Sequence, residues 1–183
     1  MTTATAAAPP LVMYPYQRGA YPRAILGALW QLMEAEGATA KVFHAQQGPE
    51  TERGDLVEFV RYFDDPKRVL LIMAEPDTKD LVGMVWFDDV VAGHRAAINI
   101  FYARKVWGAR SRAATREAIT WAFQTLGVAS MWGYTPHRTA VRHGQALGFQ
   151  IVAVLPEFAR VGGRPQDVTI LRLLRSEWDT VTR

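Results

Sequence analysis

"HRTAVRHGQALGFQIVAV", residues 137–154, is the stretch that decides the fold of this chain. It begins as a short polar segment of helix-forming residues, which runs into Gly148-Phe149 and then into a run of apolar residues. A glycine directly after a helix adopts the left-handed conformation that ends it, and a short apolar run is typical of a strand. The stretch therefore predicts a helix that returns the chain to a sheet.

The same alternation of helix and strand patterns extends along the chain in both directions. Apolar residues recur at helical spacing in four segments, and apolar runs bounded by turn residues indicate six strands. Asp55 and Ser111 are suitable N-caps for two of the helices, and Gly127 ends one of them. The predicted helices are 21–37, 55–63, 111–126 and 138–147, and the predicted strands are 68–75, 81–87, 96–103, 129–135, 150–156 and 167–174.

This order of elements predicts an α/β (α+β mixed) fold, with a single twisted mixed sheet flanked by helices. The length of 183 residues fits one domain over 1–183, with 1–12 as a flexible lead-in and 175–183 as a short peripheral tail. A parallel strand pair flanking the helix 111–126 would splay apart. Such a gap is a natural crevice for a ligand.

The composition excludes several classes of protein. The chain has no cysteine, so it has neither a disulfide framework nor a thiolate metal site or nucleophile. Its four histidines show no metal-ligand spacing, and we expect no metal. No apolar run approaches the roughly 18 residues that span a bilayer, and the first residues lack the features of a signal peptide. We therefore expect a cytoplasmic protein without a membrane partner.

A second stretch, "FYARKVWGARSRAATREA" at 101–118, carries the chemistry. Five basic residues and no acidic one lie between Arg104 and Arg116, either as a solvated helix face or as an anion site. A helix that begins near Ser111 presents free N–H groups and the positive end of its dipole. Gly108 lets a phosphate approach the backbone. These features favour a diphosphate site.

Together the two stretches resemble the GCN5-related N-acetyltransferase (GNAT) superfamily, and in particular its branch of ribosomal-protein N-terminal acetyltransferases. Members hold the coenzyme A pyrophosphate on a loop of the form Trp-Gly-x-Gly, which "KVWGAR" matches at Trp107 and Gly108. They then show Asn-x-x-Ala/Ser, seven residues and Gly-Phe, a spacing kept here from His137 through Ala140 to the Gly-Phe pair. The resemblance covers about 68–175. It implies a GNAT-like sheet whose splayed strand pair holds acetyl-CoA.

The resemblance also implies which residues contact the cofactor. The backbone at the end of the third strand would supply an N–H for the thioester oxyanion. The loop and helix start would hold the phosphates, and the next helix would lie beside the pantetheine arm. The implied cofactor-binding residues are Phe101, Tyr102, Ala103, Lys105, Val106, Trp107, Gly108, Ala109, Arg110, Ser111, Arg112, His137 and Ala140.

The sequence departs from the family at three positions. The second loop glycine is Arg110, which restricts backbone access but adds a phosphate partner. The usual Asn is His137, and the tyrosine that often protonates the departing thiolate is Gly144. His143 is adjacent to it but lies about 100° around a helix, so we expect it to point elsewhere. His137 is then the candidate catalytic residue, as acid to the thiolate or as a hydrogen-bond partner of the pantetheine, and we favour the second role.

The resemblance implies an enzyme that moves an acetyl group from acetyl-CoA to a primary amine of a small molecule or protein. The polar residues Glu75, Asp88, Asp89 and Asn99 lie near strand ends, and we interpret them as surface or turn residues rather than as a general base. One alternative is a catalytically silent CoA-binding domain, which the missing tyrosine favours. Another is a GNAT-type modifier of nucleic acid, although a net charge of +3 argues against that partner. A homodimer is a further expectation.

Overall fold

The computed structural model describes residues 9–181, except 20, 22, 40–54 and 162. The helix predicted over 55–63 begins as expected, because Asp55 accepts a hydrogen bond from the N–H of Glu58 at 2.8 Å. The elements are β1 Val12–Pro15, α1 Ala24–Ala35, α2 Leu56–Asp64, β2 Val69–Ala74, β3 Leu81–Val91, β4 Arg95–Tyr102, a 3-10 turn Arg104–Val106, α3 Ala109–Thr125, β5 Ser130–Thr135, α4 Arg138–Ala146, β6 Gln150–Val161, β7 Arg164–Leu174 and α5 Arg175–Val181.

The seven strands of the described residues form one mixed sheet in the order β1-β2-β3-β4-β5-β7-β6. Neighbouring strands are antiparallel except for β4 and β5, which run parallel and are joined by α3. This parallel pair is bonded where 95–97 faces 130–132. Beyond those residues β4 continues to Tyr102 and β5 to Thr135, and the two strands part. The predicted mixed sheet with a splayed strand pair is therefore confirmed.

Helices cover both faces of this sheet. On one face α1 and α2 pack over an aromatic core that includes Trp30 and Phe59. On the other face α3 and α5 pack over a second core, which includes Phe123. Because side chains alternate along a strand, Phe101 of β4 belongs to the first core and Tyr102 to the second. Strand β4 therefore presents successive residues to opposite faces at the gap.

The two ends of the chain contribute more structure than predicted. Residues 1–8 lie outside the described residues, but Leu11 is 5% exposed and Val12 begins β1. The flexible lead-in predicted over 1–12 is therefore wrong at its C-terminal end. The tail forms α5, whose Trp178 is buried and donates its indole N–H to Thr120 Oγ1 at 3.2 Å. The peripheral tail is also a wrong prediction, whereas the single domain over 1–183 stays a prediction.

The start of α3 differs from the prediction as well. Ser111 lies inside the helix and is 3% exposed, and its hydroxyl donates to Gly108 O at 3.2 Å. Gly108 is the N-cap residue, with φ 98° and ψ −126°, a conformation that is nearly restricted to glycine.

Strands β6 and β7 are longer than predicted. They extend into the predicted Gly-Gly-Arg-Pro loop, where Arg164 and Pro165 belong to β7.

Candidate active site

The gap between β4 and β5 receives backbone donors from β4. Ala103 donates its N–H to Val82 O of β3 at 2.8 Å. Because N–H groups alternate in direction along a strand, those of Ile100 and Tyr102 point the other way, into the gap. Trp107 donates its indole N–H to the carbonyl of Tyr102 at 2.8 Å and holds the following loop against the strand. The gap therefore offers amide donors to an extended molecule that lies within it.

The start of α3 provides a second set of donors, next to the end of β4. The first helical bond runs from the N–H of Arg112 to Gly108 O at 3.2 Å, so the N–H groups of the three preceding residues point out of the helix end. The first turn of α3 has no acidic residue to offset the positive end of the dipole. A Cβ placed on Gly108 would meet no atom within 4 Å. The backbone at the helix start is therefore unobstructed at Gly108, and free N–H groups of this kind suit an anion such as a diphosphate.

The basic residues around this helix start differ in what they contact. Arg110 forms a two-point ion pair with Glu75, at 2.5 and 3.1 Å, and donates its Nε–H to Pro9 O at 3.0 Å. The hydrogen bonds from Arg110 lower the pKa of Glu75, so Glu75 stays ionised and is a poor candidate for a general base. Lys105 and Arg112 are exposed. Arg110, predicted as a phosphate partner, is engaged with Glu75 in this structure.

A cavity occupies the gap and is lined from both faces of the sheet. On the α1–α2 side it is bordered by Trp86 of β3 and Asn99 of β4, which lie opposite each other in register. The side chains of α3 and α4 border it on the other side. The remaining lining residues are Ile98, Ile100, Thr115, Gly133, Tyr134, Thr135, Pro136, His137, Ala140, His143, Gly144, Leu147, Phe149 and Leu171.

The Asp88 cluster, which comprises Tyr62, Arg68, Asp88 and Asn99, lies behind the α1–α2 side of the cavity. Asp88 is 8% exposed and accepts hydrogen bonds from Tyr62 Oη at 2.6 Å, Asn99 Nδ2 at 2.8 Å and Arg68 Nε at 3.1 Å. Burial, together with the Asp88 carboxylate, raises the pKa of Tyr62, which therefore stays a donor. A carboxylate paired with arginine can only accept. The amide of Asn99 must therefore turn its NH2 to Asp88, which leaves its Oδ1 as the acceptor for the cavity.

The His143 cluster, which comprises Tyr102, Thr115 and His143, lies on the α3–α4 side. Thr115 is 1% exposed, and its Oγ1 lies 3.2 Å from Tyr102 Oη, 3.3 Å from His143 Nε2 and 2.8 Å from Ser111 O. Burial raises the pKa of Tyr102 and keeps the phenol protonated. Burial, with a smaller effect of Arg112, lowers the pKa of His143. The cluster is therefore uncharged at neutral pH.

The prediction that His143 points away from the site is wrong. Both His143 and Gly144 line the cavity, because the cavity borders more than one face of α4. A Cβ on Gly144 would lie 3.0 Å from Leu171 Cδ1 and 3.6 Å from Phe149 Cβ. A larger side chain at 144 would require Leu171 to move. The helix thus places an imidazole in the cavity one residue before the position of the family's tyrosine.

The predicted site residues are buried, exposed or half-buried. The buried ones can reach a ligand chiefly through their backbone, and the exposed ones lie around the start of α3. His137 precedes α4, and its N–H bonds to Thr135 Oγ1 at 3.1 Å. Phe101, Tyr102, Ala103, Val106 and Ser111 are buried, Lys105, Trp107, Gly108, Ala109 and Arg112 are exposed, and Arg110, His137 and Ala140 are half-buried.

The side chains that sequence reasoning missed are polar or aromatic residues within apolar strands and helices. Asp88 is buried rather than a surface or turn residue, whereas Asp89 is exposed as expected. Trp86 and Thr115 were not distinguishable from core residues by their spacing. Asn99 carried the only local signal, because it is a single amide within the apolar run "AAINIFYA".

Comparison with known proteins identifies solved structures that share this fold. No protein-family profile and no curated protein sequence matches the chain. Solved structures of spermidine N-acetyltransferase from Vibrio cholerae do match. A complex of that enzyme with CoA and spermine has a TM-score of 0.73 at 19% identity, over 92% of this chain and 97% of that chain. A variant of it has a TM-score of 0.74 at 19% identity, over 94% and 100% of the two chains.

A third structure of that enzyme, in complex with manganese ions, has a TM-score of 0.68 at 18% identity, over 95% of this chain and 98% of that chain. Because these matches extend over nearly the whole of both chains, they establish that this protein has the GNAT fold. The predicted fold class is confirmed. At this level of identity the likeness concerns the fold, and the activity has to be argued from the site.

Proposed function

We propose that this protein is an N-acetyltransferase that transfers the acetyl group of acetyl-CoA to a primary amine. The observation that carries the proposal is the gap between β4 and β5, which ends beside the start of α3 and opens to both faces of the sheet. Coenzyme A is an extended molecule with amides along one arm and a diphosphate at the end of that arm. The gap and the helix start match these two parts in the same order.

The cofactor would be held mainly by backbone groups. The N–H groups at the start of α3 would bind the diphosphate, and the exposed cations Lys105 and Arg112, which flank Gly108 in the chain, would assist them. The amides of the pantetheine arm would lie along the gap and accept from the N–H groups that β4 directs there. Ala140 of α4 lines the cavity, and its small side chain leaves room for this arm.

The reaction would take place where the strands part. The neutral amine attacks the thioester carbonyl, a C–N bond forms, and the C–S bond breaks. Negative charge develops on the carbonyl oxygen and would be stabilised by an N–H from Ile100 or Tyr102. The amine would arrive from the α1–α2 side, where Trp86 and the Oδ1 of Asn99 border the cavity. The two substrates thus meet from opposite faces of the sheet.

We retain for His137 a role in binding the pantetheine rather than in proton transfer. Its position directly before α4 and at the edge of the cavity supports this role. The substitution His137→Asn would supply an amide at the same place, and we expect turnover to stay near the wild-type rate. A loss of about 10²-fold in kcat with unchanged CoA affinity would assign His137 the acid role instead, since that is the usual scale for a lost general acid.

Calorimetric titration of the protein with CoA tests the cofactor site. We expect Gly108→Ala to abolish most of the binding, because φ 98° at this residue disfavours alanine and a Cβ would restrict the approach of a phosphate to the backbone. The matched control is Gly93→Ala, which also places alanine at positive φ (73°) in open space, but in the β3–β4 turn. If both variants bind CoA equally well, the phosphates are held elsewhere.

Thiol release and the mass of the acetylated product, measured with a panel of amines, test the transfer step. Bound CoA without product from any amine would favour the silent CoA-binding domain. Binding of RNA or DNA that weakens steeply with salt would favour the nucleic-acid modifier. The acceptors to include are spermidine and the N-terminal amines of peptides, because the structural neighbours act on the first and the resemblance to ribosomal-protein acetyltransferases suggests the second.

The cellular location of the protein also stays a prediction. No helix among the described residues is long and apolar enough to cross a membrane. We propose the cytoplasm because the proposed reaction consumes acetyl-CoA. Fractionation of cells that express the tagged full chain would check this.

We also propose a homodimer formed through the β6–β7 hairpin. Residues 164–168 of β7 pair with β6 beyond the part of β7 that pairs with β5, so the hairpin extends past the sheet. Its side chains Val154 and Phe158 are 52% and 70% exposed. A two-stranded ribbon is marginal alone and its edge readily pairs with another chain. Analytical ultracentrifugation should show a dimer that Phe158→Lys dissociates, and a monomeric wild type would contradict the proposal.

A further inference from the structure

The environment of His143 is unusual for a histidine that only fills space. The ring is half-buried in the cavity wall, and its Nε2 lies 3.3 Å from the Oγ1 of Thr115 on the facing helix. Thr115 in turn lies 3.2 Å from the phenol oxygen of Tyr102, which belongs to the strand that borders the gap. His143 is therefore connected to both α3 and β4 through one hydroxyl.

The hydrogen bonds of this hydroxyl determine which nitrogen of His143 carries a proton. Thr115 Oγ1 has one proton and two lone pairs. Its shortest contact, at 2.8 Å, is Ser111 O, which can only accept, and a helical threonine commonly donates to that carbonyl. With this proton directed to Ser111 O or to Tyr102 Oη, the oxygen can only accept from His143 Nε2. In the neutral ring Nε2 carries the hydrogen, and Nδ1 is the free base.

The surroundings keep this ring neutral near pH 7. Burial lowers the pKa of His143, and the charge of Arg112 on α3 lowers it further. Tyr102 of β4, whose pKa burial raises, stays protonated beside Thr115 and adds no negative charge. Phe149, which directly precedes β6, and Leu171 of β7 present apolar side chains to the same cavity. A neutral imidazole with one free nitrogen is available on the cavity wall.

We propose that His143 is the proton-transfer residue of the reaction, and that Thr115 is a positioning residue that holds its tautomer. As the C–N bond forms, the amine nitrogen loses a proton to Nδ1 of His143. As the C–S bond breaks, the imidazolium returns this proton to the sulfur, and CoA leaves as the thiol. No proton is gained or lost overall. His143 thus takes the part that Gly144 cannot play, and the inference rests on the proposed acetyl transfer.

Steady-state kinetics of His143→Gln test the role. Glutamine keeps an N–H near the position of Nε2 but has no basic nitrogen, so Thr115 stays hydrogen-bonded. We expect kcat to fall about 10²-fold or more, the scale of a lost general base, while CoA affinity stays within about twofold. The matched control is His94→Gln, which changes an exposed histidine in the β3–β4 turn and should leave kcat unchanged. A kcat of His143→Gln within threefold of wild type would overturn the proposal.

The pH dependence separates a proton-transfer role from a structural one. With an arylamine acceptor, which is neutral across the range, the acidic limb of the wild-type kcat profile reports the base. We expect this limb to disappear in His143→Gln, to shift in Thr115→Val, and to return to its wild-type position in Thr115→Ser. An unchanged limb in His143→Gln would assign the base to another group.

A nitrogen NMR spectrum of the wild-type protein with CoA bound tests the tautomer without any turnover. We expect the hydrogen on Nε2 of His143 at neutral pH. A hydrogen on Nδ1 would overturn this inference and leave the proposed function intact. Bound CoA with the expected tautomer, but without transfer to any amine, would overturn the proposed function and the inference with it.

Discussion

The two polar clusters beside the cavity use similar groups but differ in charge. In the Asp88 cluster both carboxylate oxygens are engaged, one with Arg68 and the other with Tyr62 and Asn99. In the His143 cluster a hydroxyl, a phenol and an imidazole meet without a formal charge. The carboxylate of the first cluster is one of two that pair with Arg68, whereas the second cluster can gain and release a proton. The charged side suits holding a substrate, and the neutral side suits proton transfer.

The largest expected effect of a substitution in either cluster is on the stability of the fold. We expect Asp88→Ala to lower the free energy of unfolding by about 3 kcal/mol, because it removes the buried acceptor of Tyr62 and Asn99 and leaves Arg68 only its more exposed partner, Asp65. The control is Asp65→Ala, which breaks a more exposed ion pair of the same arginine, at 2.8 Å, and should cost less than about 1 kcal/mol. Equal losses in urea denaturation would show that Asp88 behaves as a surface carboxylate.

A matched pair of tyrosine substitutions compares the two clusters directly. Tyr62→Phe removes a donor to a carboxylate, and we expect a loss of about 2 kcal/mol. Tyr102→Phe removes a bond between two neutral hydroxyl groups, and we expect a loss of about 1 kcal/mol. Chemical denaturation of both variants under the same conditions gives the comparison. The reverse order would contradict the assignment of the charged and neutral sides.

Substrate kinetics distinguish the two faces of the cavity. We expect Asn99→Leu to raise the KM for the amine about tenfold, which corresponds to about 1.4 kcal/mol, and to leave the KM for acetyl-CoA unchanged. Arg112→Ala should do the opposite, because Arg112 lies at the start of α3 on the other side. If Asn99→Leu alters only the KM for acetyl-CoA, the amine does not enter from the α1–α2 side.

The smallest expected effect is a pH dependence of stability that comes from His143. Its pKa is lowered in the folded protein from an ordinary value near 6.5, so the unfolded chain binds the proton more readily. The free energy of unfolding should therefore fall as the pH drops through 6.5 and below. In His143→Gln this fall should be smaller. Thermal denaturation of both proteins over this pH range would show it, and parallel curves would contradict it.

Most of the fold could be predicted because periodicity reports local structure. Helices α1 to α4 and strands β2 to β7 follow from apolar spacing, and the cap at Asp55 follows from its residue type. β1 was missed because "LVMYP" is short, follows two prolines and becomes a strand only by pairing with β2. Helix α5 was missed because the segment is polar apart from Trp178, whose burial depends on a contact with α3.

Sequence indicated only the part of the candidate site that consists of backbone. Gly108 was singled out by its residue type, but the helix start was expected near Ser111 rather than at Gly108. The pairing of Arg110 with Glu75 joins residues 35 positions apart, and the orientation of His143 depends on how α4 sits in the gap. Neither follows from sequence spacing. Successive residues such as His143 and Gly144 point about 100° apart on a helix, but both can line a cavity that borders two faces of that helix.

The parting of β4 and β5 also makes occupancy of the gap visible by isotope exchange. A central sheet normally protects its amides, but those of Ile100 and Tyr102 point into the gap rather than toward a neighbouring strand. In the free protein they should exchange with deuterium far faster than those of Phe101 and Ala103, which face β3. A molecule bound along the gap would slow the first pair alone. A ligand would then change the exchange rates of amides in the middle of the sheet, where such changes are usually confined to the edge strands.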